Sequence, residues 1–157
     1  MSVVMPMEVR TARFGPIETV TVPETARLRF PDGLPGFEEH ADFALIDEEP
    51  YRPFVWLQSL HEPHVKFITL DVFLVRPDYD LVLSDADVAA LDLRDPGEAQ
   101  VFCILTIPET AEAMTANLKA PVVINRRRQL GRQVILPDDR YPLRHPLPLL
   151  GAGQEAS

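Results

Sequence analysis

The sequence predicts a mostly β, single-domain protein with one or two short helices, and three observations carry that expectation. Sixteen prolines are spread from Pro6 to Pro148, about twice the ordinary share. Each one breaks or kinks a helix, because the ring removes an N–H and clashes with the preceding turn. Only the gap between Pro77 and Pro96 leaves comfortable room for a helix. The apolar runs between the prolines are of strand length and are bounded by Gly, Pro, Asn and Asp, as strands joined by turns are. At 157 residues and 46% hydrophobic, one domain with one real core is the simplest organisation.

In chain order, residues 1–7 read as a leader and Glu8–Phe14 as a first strand. Gly15-Pro16 turns the chain into Ile17–Val22, giving a hairpin. Ala26–Phe30 is a short third strand. Phe43–Asp47 and Tyr51–Leu60 follow, and Trp56, the only tryptophan, sits where an aromatic anchors a core or its edge. Val65–Val75 is the longest apolar run. Its polar residues Lys66, Thr69 and Asp71 share no single parity, which predicts a bend near Ile68–Leu70. Asp85–Leu91 is the helix, with Ser84 as its cap and Asp85 and Asp87 in the electropositive first turn. Val101–Ile107 is near-continuously apolar and reads as a central strand. Val122–Asn125 and Gln133–Leu136 form a second hairpin around a turn containing Gly131, with Arg126, Arg127, Arg128 and Arg132 at its tip. Tyr141–Leu147 closes the domain, and residues 148–157 read as a disordered tail.

The stretch Phe30–Glu39, Phe-Pro-Asp-Gly-Leu-Pro-Gly-Phe-Glu-Glu, is the organising corner. Pro31 and Pro35 fix φ near −65°, while Gly33 and Gly36 open positive φ to the backbone. Three large apolar side chains, Phe30, Leu34 and Phe37, pin the turn to the core.

Function is bounded mainly by exclusion. The formal net charge is −9, from 24 acidic and 15 basic residues. Such a chain repels nucleic acid and anionic lipid and attracts basic partners at low salt. The lone Cys103 lies in an apolar run, as a buried inert thiol does. No basic region followed by a long apolar stretch opens the chain, and no run approaches the roughly 18 apolar residues of a membrane span. A cytoplasmic protein without a membrane partner is therefore expected. No nucleophile elbow, Gly-rich phosphate loop, H-E-x-x-H or C-x-x-C is present, and nothing asks for a cofactor or a metal. His61 and His64 are three apart, but Pro63 prevents the helical geometry that would put both on one face. An enzyme or ligand carrier built on His61, His64 and nearby acids is the alternative reading. Direct RNA binding through Arg126–Arg132 is a third, weakened because the arginines lack interleaved aromatics.

Several segments together resemble the FliW family of bacterial flagellar assembly factors. They are Phe14-Gly15-Pro16-Ile17, Phe30–Glu38, Phe54–Leu60, Phe73–Asp80, Leu105–Pro108, Thr115–Asn125, Gly131–Leu136 and Arg144-His145-Pro146. The resemblance spans Glu8 to Leu147, and the order and spacing of the pieces make it specific. Lys66 departs from it, standing where the family tends to have a small residue. The resemblance implies a compact antiparallel β-barrel-like fold, no enzyme activity and two protein partners. One is flagellin, bound through its terminal region before export. The other is CsrA, a small basic repressor of flagellin translation, which the free protein antagonises. Phe37, Glu38, Asp78, Tyr79, Asn117 and Asn125 lie in the matching motifs at expected turns or strand ends, and are the expected partner contacts.

Overall fold

The apolar runs alternate between two burial directions, and that alternation builds the molecule. The computed structural model describes residues 4–110, 113–137 and 139–147. The tail at 148–157 and the first three residues of the leader lie outside the described residues.

The strands are β1 (Pro6–Thr11), β2 (Glu18–Pro23), β3 (Arg27–Arg29), β4 (Asp42–Ile46), β5 (Val55–Ser59), β6 (Lys66–Asp71), β7 (Ala99–Thr106), β8 (Thr115–Ala116), β9 (Val122–Asn125), β10 (Leu130–Gln133) and β11 (His145–Pro146). Two helices, α1 (Val72–Val75) and α2 (Asp85–Leu91), lie between β6 and β7. Seven strands close into a barrel in the order β7-β6-β5-β4-β3-β10-β9 and back to β7. The strand expected to be central is the one that closes it: β7 pairs with β6 through Leu70↔Cys103 and with β9 through Val101↔Val123. All junctions in the ring are antiparallel except β3–β10, where Leu130 lies opposite Arg29 and Arg29 N–H donates to the Gln129 carbonyl. Closure removes the open strand edges that invite uncontrolled pairing.

Successive residues on a strand face opposite sides, and here both sides are buried. Phe43, Leu45, Val55, Leu57, Phe102, Val122 and Ile124 pack inside the barrel with Leu28, Phe30 and Leu34. Their strand neighbours point outward into two separate coverings. Ala44, Ile46 and Trp56 lie beneath the β1–β2 hairpin, against Val9, Val20 and Val22. Val101, Cys103 and Val123 lie beneath the segments around the helices and the C-terminal stretch, against Tyr79, Leu91, Leu118 and Tyr141. Burial on both faces explains why Val55–Leu57 of β5 and Val122–Ile124 of β9 are unbroken apolar runs.

Phe30–Glu39 is a tight corner as expected. Gly33 and Gly36 take positive φ (+65° and +85°), and Leu34 and Phe37 bridge to each other. A Cβ on Gly33 would sit 2.5 Å from the Glu38 backbone. Phe30 and Leu34 are buried.

Three expectations are corrected. The run Val65–Val75 is not one bent strand: β6 stops at Asp71, whose carboxylate caps α1 by accepting from Phe73 N–H at 2.8 Å. The second hairpin is shifted toward the N-terminus: the turn is residues 126–129, with Gln129 at φ +53°, and β10 begins at Leu130. Gly131 lies in that strand, and it is a glycine because a Cβ there would fall on the Phe30 ring. The first strand begins at Pro6, so part of the expected leader is in the hairpin.

Candidate functional site

An apolar groove runs along the outer face of β7, walled by the chain between β6 and β7. Its first wall is α1, a single turn that carries Phe73 and Leu74 away from β6, leaving them 46% and 63% exposed. The chain then turns at residues 76–79, where Arg76 Nε pairs with Asp78 at 2.8 Å. Tyr79 pins this turn: its hydroxyl donates to the Leu118 carbonyl at 2.6 Å and its ring lies 4.3 Å from that of Tyr141. Tyr141 Oη in turn accepts from Asp80 N–H at 2.7 Å. The strap Leu81-Val82-Leu83 alternates like a strand, with Leu81 and Leu83 packed on the core and Val82 65% exposed.

The second wall is α2. Ser84 Oγ accepts from Asp87 N–H and the Asp87 carboxylate accepts from Ser84 N–H, a reciprocal capping box. Only Leu91 of this helix is buried, and seven residues are too few to be stable alone. Polar contacts from β9 and β10 hold it instead. Asn125 Nδ2 donates to the carbonyls of Leu91 (2.8 Å) and Asp92 (3.1 Å). Arg132 pairs with Asp87 at 3.2 Å. The arginine tip clasps the loop that follows: Arg128 pairs with Asp92 at 2.9 Å, Arg127 with Glu98, and Arg126 donates to Gln100. This basic tip was conspicuous on an acidic chain, and its charges are matched by carboxylates and carbonyls of the groove wall.

Between the walls lies an open space of about 700 Å³, floored by Ala99 and Val101, lined by Phe73, Leu81, Val82, Leu83, Val88 and Leu93, with Arg94 and Asp95 at one end. Such a surface has the shape and apolar lining to bury apolar side chains.

None of the expected contact residues lines the groove itself, though three lie in the segments that build its walls. Asp78 is exposed at the groove's entry turn, Tyr79 is buried beneath it, and Asn125 is buried behind α2. Burial raises the Tyr79 phenol well above its ordinary value. Asn117 is half-buried; its side-chain oxygen accepts from Lys119 and Ala120 N–H and shapes the turn that presents the Leu118 carbonyl to Tyr79. Phe37 and Glu38 belong to the corner, apart from the groove. Phe37 packs edge-on against Phe67 and His40. Glu38 is exposed, and the N–H of Gly36 holds its carboxyl below the usual range. Sequence reasoning passed over Phe73, Val82 and Val88. The signal was the apolar triplet Leu81–Leu83 between Asp80 and Ser84, which strand parity obliges to expose a residue.

The histidines are held locally. His40 Nδ1 lies 2.8 Å from Ser59 Oγ, His61 3.7 Å from Asp42, and His64 2.9 Å from Glu62. Among the described residues no three His, Cys, Asp or Glu side chains are grouped to hold a metal. Ser59 is buried and its Oγ accepts from the N–H groups of His61 and Glu62. Cys103 is buried, and burial pushes its thiol up to about 11. No described helix is long and apolar enough to cross a membrane.

The family model for FliW protein matches residues 8–147. The flagellar assembly factor FliW of Caldanaerobacter subterraneus subsp. tengcongensis is 40% identical over 142 residues, covering 90% of this chain and 93% of the relative. That of Caldicellulosiruptor saccharolyticus is 39% identical over 143 residues, covering 91% of each. A crystal structure of the flagellar assembly factor FliW superposes with a TM-score of 0.79 at 33% identity, covering 89% of this chain and 96% of that one.

Proposed function

The chain belongs to the FliW family of flagellar assembly factors, and from that premise we propose that it is a cytoplasmic binding protein that exchanges flagellin for CsrA. Flagellin's terminal segment docks in the groove between α1 and α2, and the protein released from flagellin captures CsrA and relieves repression of flagellin translation. The observation that carries this reading is the groove itself, where Phe73, Val82 and Val88 stand in solvent above a floor of Ala99 and Val101. An amphipathic segment laid there buries apolar area on both partners, at about 25 cal/mol per Å². Asp78 sits at the rim as a polar contact. Tyr79, Asn117 and Asn125 act through the walls they hold, and Phe37 and Glu38 mark the corner as a further contact for the second partner. The net charge of −9 favours encounter with a basic partner and argues against direct binding of nucleic acid.

Binding rather than turnover is supported by the state of the nucleophiles: the Cys103 thiol is buried and neutral, and the Ser59 oxygen is engaged by backbone N–H groups. The test is titration of flagellin into wild type and into a Val82→Asp variant. Val82 is exposed, so the variant keeps its melting temperature. Flagellin binding is expected to weaken about tenfold or more, as for an interface anchor worth over 1 kcal/mol. Unchanged affinity places flagellin elsewhere.

A further inference from the structure

On the other flank of the barrel, beneath the β1–β2 hairpin, lies an aromatic cluster that the groove does not use. Arg13 is driven inward there, its side chain only 3% exposed. Its guanidinium carbon lies 4.7 Å from the Phe14 ring centroid, 5.2 Å from Tyr51 and 5.1 Å from Trp56. Nη2 pairs with Glu48 at 2.6 Å and Nε lies 3.6 Å from Glu18. Nε and Nη1 are buried and have no hydrogen-bond partner. A buried cation with two unsatisfied donors is costly, so ring faces and carboxylates, rather than a full set of hydrogen bonds, hold it in place. The cluster therefore already accommodates a guanidinium.

Two of the three rings also reach solvent. Phe14 is 49% and Tyr51 40% exposed, with centroids 5.3 Å apart, and Ile17 extends the apolar surface at 46%. The local charge is negative: Glu18 and Glu48 face one Arg13, and exposed Glu49 lies beside the Asp47–Arg52 pair. Half-exposed aromatics bordered by carboxylates match a cationic, planar side chain, which stacks on the rings while its N–H groups reach the acids. We propose that the Phe14–Tyr51 face is a docking site for a basic, arginine-bearing polypeptide segment. Its position on the hairpin flank, over β4 and β5, leaves it open when the groove along β7 is filled. It stands or falls independently of where flagellin binds.

Trp56, the only tryptophan, makes edge contacts with Phe14 and Tyr51 at 5.6 Å, so its fluorescence reports on the face directly. A hexa-arginine peptide titrated into the full chain at low salt is expected to change Trp56 emission saturably, to bind more tightly than hexalysine, and to lose affinity as salt is raised. Phe14→Ser with Tyr51→Ser is expected to weaken binding about tenfold, while Ile135→Ser, a charge-neutral change at an exposed apolar residue outside both surfaces, leaves it unchanged. Amide shift mapping on the wild-type protein guards against misfolding of the double variant: the largest shifts are expected at Phe14, Ile17 and Tyr51. The proposal is overturned if hexa-arginine does not bind, if it binds no better than hexalysine, or if the shifts centre elsewhere on the acidic surface.

Discussion

Asn125 shows how a single side chain shapes the site from behind it. It is fully buried, donates to the carbonyls of Leu91 and Asp92, and accepts from Arg128 N–H. Asn125→Ala removes the side-chain donor from the Leu91 carbonyl, while the Asp92 carbonyl keeps Arg127 Nη2, at a cost of about 1–3 kcal/mol. Urea denaturation should report that loss, and on the proposed function flagellin affinity should fall with it. Cys103 gives a reactivity prediction. Its buried thiol, raised to about 11, should resist thiol reagents at neutral pH and react only as the barrel unfolds; fast labelling of the native protein would contradict its burial. Both residues were visible in the sequence, but their roles were not equally so. Cys103 sits in an apolar run that announces burial, whereas Asn125 and Tyr79 bond to carbonyls 34 and 39 positions away. Local pattern cannot supply such partners, so the internal bonds these two side chains make were not legible from the motifs they lie in.

At the level of elements, α2 follows its sequence closely. The Ser84 cap, the acids of the first turn and the stop near Leu91 were all legible, because capping is chemistry between near neighbours. The shifted hairpin was not, since Gly131 is required by the ring of Phe30, about a hundred positions earlier in sequence. Gly131→Ala should cost about 1–3 kcal/mol through overpacking against that ring; a thermal melt identical to wild type would contradict the close approach. The clasp on the α2 loop gives a pH dependence. Arg127 and the N–H of Arg94 hold the Glu98 carboxyl below the usual glutamate value of 4.5. A depressed carboxyl contributes its stabilisation in full above the unfolded value and loses it as pH falls through the folded one. Wild type should therefore lose stability below pH 4.5 more steeply than Glu98→Gln does, read as denaturation midpoints across the acid range.

For the whole molecule, barrel closure through β7 separates two flanks, each with its own outer covering and its own exposed apolar surface. The β-rich class was legible from the prolines and short apolar runs, and the barrel from the family resemblance; the parity that sends alternate residues of β4, β5, β7 and β9 into different packing layers emerges only once the ring closes. Outside those strands, the chain between β6 and β7 leaves Phe73 and Val82 exposed beside the β7 groove, where we propose that another chain docks. Calorimetric titration of flagellin into the wild-type protein and into Val82→Asp, each with and without CsrA, tests this most directly. The account predicts saturable binding of flagellin to wild type, a loss of about tenfold or more in the variant at unchanged melting temperature, and displacement of CsrA by flagellin from wild type. Equal flagellin affinity in wild type and variant would contradict it.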